Sequence, residues 1–187
     1  TEEAITSIEV TYNGLVKDMN LKALNCAAIA GVMKASNPDV NMVSAPVIAK
    51  ERGIELSTVT QDKSGAFDGY IRLQVKTAKK DRSIAGTVFS DGKPRFIQIK
   101  GINIDAEVGE NMLYTTNEDV PGIIGTLGKT LGEQGVNIAN FTLGRSQKGK
   151  EAIALLYLDE QPNAEAVAAL KATGLFQQVR PLSFGAA

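Results

Sequence analysis

Residues 117–122, with the sequence Asn-Glu-Asp-Val-Pro-Gly, constrain the fold of this chain more than any other segment. Met112 to Thr116, just before them, is mostly apolar and typical of a strand. Ile123 to Gln134, just after them, has apolar side chains at helical spacing. Gly135 follows, and glycine is typical of the C′ position after a helix. The pattern predicts a strand that ends in a polar turn and leads directly into a helix.

This turn has the chemistry to bind both ends of a free amino acid. Backbone N–H groups at a helix N-terminus attract an anionic group, and the carboxylate of Asp119 beside them can hold an ammonium group. The alternative is that Asp119 only caps the helix, with Pro121 and Gly135 marking its start and its stop. Local chemistry alone favours this second interpretation, so the choice depends on the rest of the chain.

The sequence after this helix predicts four further elements and one connecting turn. They are, in order, a strand over 137–143, a polar hairpin turn over 145–150, a strand over 152–158, a helix from its Asn163 cap to Gly174, and a strand over 176–182. The order from Met112 onward is βαββαβ, which is the ferredoxin-like arrangement. Within the first helix, Gly125 and Gly128 are expected to let the helix approach its sheet closely.

Two short segments give this arrangement a resemblance to a known family. They are Asp-Val-Pro-Gly at 119–122 and Gly-Val-Asn-Ile at 135–138. At this spacing and in this order of elements they resemble the ACT domain, a small-molecule sensor found on many enzymes of amino-acid biosynthesis. The resemblance covers the chain from residue 112 onward, and it implies that the 117–122 turn binds a small amino acid.

Composition excludes several other classes of function. The net charge is −1, so there is no basic field to attract nucleic acid or an anionic membrane. The longest apolar runs are shorter than a membrane span. There is no histidine and one cysteine, so we expect no metal site, no iron–sulfur cluster and no internal disulfide. Cys26 is expected to be a buried small hydrophobe. No signal-peptide pattern opens the sequence, and we expect a cytoplasmic location.

The first 108 residues are expected to form a separate unit of α+β class. Strands are predicted near 8–12, 54–60, 70–77, 83–90 and 95–100, and helices over 21–34 and 44–52. The buried stripe of the first helix is predicted to consist of Leu24, Ala27, Ala28 and Val32. The short polar stretch at 108–111 is the predicted boundary, which gives two domains, 1–108 and 111–187.

An α+β unit directly ahead of an ACT-like unit resembles the C-terminal part of the long-form D-3-phosphoglycerate dehydrogenases. In that family an intervening domain, also called the allosteric substrate-binding domain, precedes the ACT domain. Residues 96–101, Phe-Ile-Gln-Ile-Lys-Gly, are similar to the Ile-Val-Gln-Ile-Asn-Gly segment of that intervening domain. The resemblance implies a regulatory fragment of an enzyme that begins L-serine biosynthesis. The NAD-binding and substrate domains would lie upstream, so we expect this chain to be non-catalytic and to bind no NAD.

The resemblance also implies an effector site for L-serine. In the family, a His or Tyr is followed two residues later by an Asn or Asp, and then by an Asn on the second strand. Asp119 and Asn137 match the last two positions, whereas Asn117 occupies the first. The residues expected to contact the ligand are Asn117, Asp119, Val120, Pro121, Gly122, Ile123, Asn137 and Ile138.

A second, phosphate-binding site is not expected in the intervening domain. At the positions where the family places basic residues, this chain has Ile102, Asn103 and Glu107. Arg95 alone keeps a positive charge, and Glu107 is expected to oppose it.

The strand over 136–143 should lie at an edge of its sheet, because the first and third strands of a ferredoxin-like unit are central. It contains no Lys, no Pro and no sign of a bulge, the devices that usually protect an edge strand. Pairing with another chain would bury Ile138 and Phe141. We therefore predict a homo-oligomer in which two copies join through this edge about a two-fold axis. Asn137 would then reach the 117–122 turn of the partner.

Two alternatives remain open from the sequence. The regulatory portion of iron–sulfur L-serine dehydratases carries a similar pair of domains, and its cluster cysteines would lie on another segment. The chain could also be a purely structural assembly module whose 117–122 turn only caps a helix. A stand-alone enzyme is the weakest interpretation, because the chain has no histidine and no cofactor motif.

Overall fold

The computed structural model describes residues 3–62 and 65–185. The chain forms two compact units, Thr1–Phe89 and Ser90–Ala187. Each unit contains helices and strands, which confirms the predicted α+β class. The division lies upstream of residues 108–111 because the strands between 94 and 107 pack, within the second unit, against its sheet.

The first unit contains the strands and helices predicted up to residue 90, whereas the strand predicted near 95–100 lies in the second unit. The elements of the first unit are β1 (Ile5–Gly14), a short 3-10 helix (Leu15–Asp18), α1 (Leu21–Lys34), α2 (Ala45–Glu51), β2 (Glu55–Gln61), β3 (Gly69–Thr77) and β4 (Asp81–Val88). The strand order in this unit is β2-β1-β3-β4, with β2 parallel to β1 and the other pairs antiparallel. The side chain of Asn20 caps α1 by accepting a hydrogen bond from the backbone N–H of Ala23 at 3.3 Å.

The core of the first unit corrects the predicted face of α1. Its buried residues are Ile29, Ala30 and Met33, which pack with residues of α2 and β1. The predicted stripe of Leu24, Ala27, Ala28 and Val32 is wrong, because these side chains are exposed or half-buried. Alanine is common all around this helix, so the periodicity of its apolar residues does not identify one face. Cys26 is half-buried, not fully buried as expected.

The second unit contains the predicted βαββαβ order, preceded by a hairpin. The hairpin strands are β5 (Pro94–Ile99) and β6 (Ile102–Glu107), followed by β7 (Asn111–Glu118), α3 (Ile123–Glu133), β8 (Ile138–Arg145), β9 (Glu151–Leu158), α4 (Ala164–Ala172) and β10 (Phe176–Ser183). The strand order is β10-β7-β9-β8, and every neighbouring pair is antiparallel. The predicted edge position of the 136–143 strand is therefore confirmed.

The two faces of this sheet are covered by different parts of the second unit. On one face, Leu127 and Leu131 of α3 and Leu170 of α4 join the main core cluster. On the other face, the β5–β6 hairpin packs its apolar side chains against those of β7 and β9. This second layer reaches β8 as well, because the hydroxyl of Thr142 donates a hydrogen bond to the carbonyl oxygen of Asp105 at 3.2 Å.

Two details of the second unit differ from the sequence predictions. A Cβ atom added at Gly125 or Gly128 would meet no atom within 4 Å, so these glycines do not mediate close packing on the sheet. The pairing of β8 with β9 shifts register between Ile138 and Asn140, an irregularity that the sequence did not indicate. By contrast, Gly135 has the positive φ, 73°, expected of a residue that ends a helix.

Candidate functional site

Asp119 is held by the hairpin that joins β8 to β9. Its Oδ2 atom accepts hydrogen bonds from Nη1 of Arg145 and from the backbone N–H of Gly149, both at 3.1 Å. Its own backbone N–H donates to the carbonyl oxygen of Lys150 at 2.8 Å. The hydrogen bond from Gly149 and then that from Arg145 lower the pKa of the Asp119 carboxyl group below its ordinary value. The carboxylate is therefore a fixed negative charge beside the turn.

The alternative that Asp119 caps α3 is wrong. The N-cap residue is Gly122, which has a left-handed conformation with φ of 94° and makes no side-chain capping hydrogen bond. The first N–H groups of a helix have no acceptor within the helix itself. The start of α3 therefore presents backbone donors beside the Asp119 carboxylate, as the binding interpretation requires.

Asn117 contributes a buried polar group to the same region. The residue is 1% exposed, and its Nδ2 donates to the carbonyl oxygen of Glu118 at 2.6 Å. Its Oδ1 has no hydrogen-bond partner within the described residues. Because side chains alternate along β7, Asn117 lies on the same face as Leu113, which belongs to the helix-covered core. Burying an acceptor without a partner costs about 1–3 kcal/mol, which a donor group on a ligand would remove.

The remaining residues of the turn differ in what they can offer to a ligand. Val120, Pro121 and Gly122 are exposed, whereas the side chain of Ile123 is 4% exposed and belongs to the core. Ile123 can therefore contact a ligand only through its backbone. The N–H of Val120 already donates to the carbonyl oxygen of Glu118 at 2.9 Å.

Asn137 and Ile138 lie at the opposite end of the sheet from this turn. Strand pairing places Asn117 opposite Ala152 and Ile138 opposite Leu158, six residues further along β9. At ~3.3 Å per residue this separation is roughly 20 Å. Asn137 is exposed, and its Nδ2 donates to Oδ2 of Asp159 at 2.6 Å. A single chain therefore brings Asn117, Asp119 and the start of α3 together but does not bring Asn137 to them.

Arg95, the basic residue of interest on the β5–β6 hairpin, is surrounded by carboxylates. Its guanidinium nitrogens lie 3.4 Å from Asp105, 3.7 Å from Asp91 and 3.9 Å from Glu107. The predicted opposition of Arg95 and Glu107 is confirmed. The absence of a phosphate site stays a prediction, and the geometry agrees with it because the positive charge is already surrounded.

Three features of the molecule are not predicted by its sequence, and the first is strand β6 of the hairpin. The second is the contact of Arg145 with Asp119, because residues 145–150 indicate only a polar hairpin turn and the positive charge of Arg145 is the one signal for this contact. The third is an open apolar groove of about 940 Å³ in the first unit, between α1, the segment before α2, and β2. Among the described residues that line this groove, Lys22 alone is charged, so its walls do not suit a zwitterion as the 117–123 turn does.

Neither a metal site nor a membrane-spanning helix occurs in the part of the chain that the structure describes. No group of three or more His, Cys, Asp or Glu side chains there is placed to hold a metal ion. Within residues 3–62 and 65–185, no helix has the length and apolar character needed to cross a bilayer.

Comparison with known proteins finds two domain families in order along the chain. The D-3-phosphoglycerate dehydrogenase intervening domain matches residues 1–100, and the ACT domain matches residues 112–174. The D-3-phosphoglycerate dehydrogenase of Bacillus subtilis is 30% identical over 159 residues, which are 84% of this chain and 30% of that protein. The enzyme of a Synechocystis species is 33% identical over 147 residues, which are 78% of this chain and 26% of that protein.

A third relative is the D-3-phosphoglycerate dehydrogenase of Methanocaldococcus jannaschii, 28% identical over 171 residues, which cover 90% of this chain and 32% of that protein. The chain thus spans about a third or less of the length of these relatives. Because the first domain match alone covers more than half of the 187 residues, the chain belongs to the D-3-phosphoglycerate dehydrogenase intervening-domain family, here followed by an ACT domain.

Proposed function

We propose that this chain is the regulatory part of a D-3-phosphoglycerate dehydrogenase and that its ACT domain binds L-serine as a feedback effector. The oxidation of 3-phosphoglycerate with NAD, the first step of L-serine biosynthesis, would be carried out by other domains of the parent protein. The family membership and the donors and acceptors around the 117–123 turn support this proposal. A cytoplasmic location is part of it.

The observation that carries the proposal is the position of the site residues at the two ends of β8. Arg145, at the end of this edge strand, contacts Asp119 at 3.1 Å, whereas Asn137 precedes the start of the same strand. If two copies pair their β8 edges about a two-fold axis, the strands run antiparallel, and the start of one β8 lies beside the end of the other. Asn137 of one copy then comes next to the turn of its partner. Each site would be completed by two subunits.

In this arrangement the ammonium and carboxylate groups of the ligand each have a partner of the right chemistry. The ammonium group of serine would lie between the Asp119 carboxylate and Oδ1 of Asn117. The serine carboxylate would face the backbone N–H groups at the start of α3. Asn137 of the second copy would supply a further amide to the ligand. The contribution of Asp119 would be a charge-assisted hydrogen bond, the stronger kind in proteins.

The test is calorimetric titration of the chain with L-serine, glycine and other small amino acids. We expect serine to bind, and Asp119→Ala to weaken binding by roughly ten- to a hundred-fold. In Asp119→Asn the side chain can still accept a hydrogen bond from Gly149 and hold the hairpin, but it has no charge for the ammonium group. This variant therefore distinguishes a lost ligand contact from a displaced hairpin. Asp105→Ala is a matched control, because it removes a carboxylate elsewhere in the second unit.

Sedimentation of the same chain tests the assembly part of the proposal. Serine should tighten the dimer, because a ligand that binds only the assembled state stabilises that state by mass action. A folded Asp119→Ala variant that binds serine as tightly as the parent would show that Asp119 has no ligand role. If no amino acid binds and the chain still dimerises, a purely structural assembly module is the correct description.

A further inference from the structure

The two ends of the edge strand β8 carry opposite charge. Its last residue is Arg145, and the hairpin that follows contributes Lys148 and Lys150. Near its first residue, the segment that follows β9 contributes Asp159 and Glu160. All five side chains are on the surface of the second unit. The first of these ends also carries the carboxylates of Glu118, Asp119 and Glu151, of which Asp119 pairs with Arg145 and Glu151 with Lys100. Lys148 and Lys150 leave this end slightly basic, whereas the other end is acidic.

Only one of the five charged side chains that β8 and its two neighbouring segments contribute forms an ion pair with another described residue. Arg145 pairs with Asp119, but no ion pair is formed by Lys148, Lys150, Asp159 or Glu160 with any described residue. The carboxylate of Asp159 instead accepts from the uncharged amide of Asn137. The two ends are roughly 20 Å apart along the strand, which exceeds the Debye length of about 8 Å at physiological ionic strength. Each end therefore interacts with what lies directly against it.

We propose that the two ends of β8 form a pair of complementary electrostatic contacts that align a second copy of this chain. Antiparallel pairing places the basic end of one copy beside the acidic end of the other, and two-fold symmetry repeats the same contact at the other end. This inference rests on the proposed function, which requires the same pairing of β8 edges. It adds what fixes the register of that pairing, since the backbone of a strand edge does not itself specify one.

The register matters because it decides whether the effector site is complete. Sliding one strand by two residues keeps the same side chains on each face but moves every charge by roughly 6.6 Å. Such a slip separates the basic and acidic ends at both contacts. The same slip moves Asn137 away from the turn at residues 117–123 of the other copy. The charges would thus favour the one register in which two subunits share a ligand.

Two charge-reversed variants of the whole chain test this inference by sedimentation equilibrium. The first, Lys148→Glu with Lys150→Glu, makes both ends acidic, and the second, Asp159→Lys with Glu160→Lys, makes both ends basic. Each variant alone brings like charges together at both contacts, so we expect its dimer to be roughly tenfold weaker than the parent dimer, or weaker still. An equimolar mixture restores attraction at both contacts, and we expect it to form a heterodimer about as tight as the parent dimer.

Lys171→Glu with Arg180→Glu is the matched control. It makes the same change in charge near the other edge strand of the sheet, β10, and should leave dimer affinity unchanged. Circular dichroism confirms that each variant is folded, and rescue by mixing cannot arise from a folding defect. If the reversed variants dimerise like the parent, or if mixing restores nothing, the electrostatic inference is overturned while the β8 pairing stands. A parent chain that is monomeric at every concentration overturns both.

Discussion

β8 and β10, the two edge strands of the sheet in the second unit, differ in how far their apolar side chains are buried within a single chain. On β10, Phe176 is 9% exposed and Val179 is 4% exposed, and the strand contains Pro181, which has no N–H to offer another strand. On β8, Phe141 is half-buried and Leu143 is 40% exposed, and the strand contains neither Lys nor Pro. Both strands have one register shift, so irregularity does not distinguish them.

This difference gives the two edges different capacities to pair with another strand. The apolar side chains of β10 are buried within one subunit, and its proline opposes further pairing. The apolar side chains of β8 are left partly exposed, and apart from its one register shift the strand has no Lys or Pro to oppose pairing. A strand of this kind is an aggregation hazard unless a specific partner covers it, which is the role that we propose for the second copy.

The largest effect is expected from a matched pair of phenylalanine substitutions. Phe176→Ala should lower the free energy of unfolding by about 3–5 kcal/mol, because the ring is buried inside one chain. Phe141→Ala should cost clearly less under dilute conditions in which the parent is monomeric, because its ring is only half-buried. Urea denaturation at low and high protein concentration measures both. An equal loss of unfolding free energy for the two variants at low protein concentration would show that both rings are equally buried within one chain.

An effect of intermediate size is expected from a lysine placed at each edge of the sheet in turn. The two substitutions should differ in how much they weaken the dimer. Leu143→Lys puts a charge where the β8 pairing buries an apolar side chain, so we expect at least a roughly tenfold weaker dimer and a loss of serine binding with it. Leu175→Lys, just before β10, changes a leucine of similar exposure, 42% against 40%, and should leave the dimer unchanged. Sedimentation equilibrium of both variants measures their dimer affinity. Equal weakening would mean that β8 is not the interface.

The smallest effect concerns the pH dependence at the end of β8. The folded-state pKa of Asp119 lies below its ordinary value of 3.8, so its hydrogen bonds stabilise the folded chain above that pH. This contribution is lost as pH falls through the lowered pKa. The amide resonance of Gly149, which donates to the carboxylate, should therefore titrate with a midpoint below 3.8. In Asp119→Asn that titration should disappear. A midpoint at or above 3.8 would contradict the hairpin contact.

The sequence was sufficient for the βαββαβ order from β7 onward, because its signals are local and strong, but it did not predict strand β6 of the preceding hairpin. Gly135 and Gly174 end helices with positive φ, and Asn163 caps α4 by accepting from the backbone N–H of Ala166 at 2.7 Å. The edge position of β8 also followed from the βαββαβ order alone. These features depend on the local sequence and not on contacts between residues far apart in the chain.

Features that depend on tertiary contacts were not predictable. The buried face of α1 is ambiguous in an alanine-rich helix, and packing against α2 decides it. Asp119 looks like a cap in the sequence, but Arg145, 26 residues later, holds its carboxylate. The separation of Asn137 from the turn appears only when the registers of β7, β9 and β8 are combined. Each of these is set by chain segments that the local pattern does not connect.

The central position of β7 has a consequence for the order in which the second unit can assemble during synthesis. β7 is the first strand of its sheet to be made, yet one of its two neighbours is β10, the last strand, in a pairing that joins Asn111 to Ser183 and Asn117 to Phe176. Until β10 leaves the ribosome, one side of β7 has no partner strand. Folding of this unit is therefore governed by a contact of long sequence separation, which is slow to form. The interval before β10 arrives is when the nascent chain most needs protection from pairing with others.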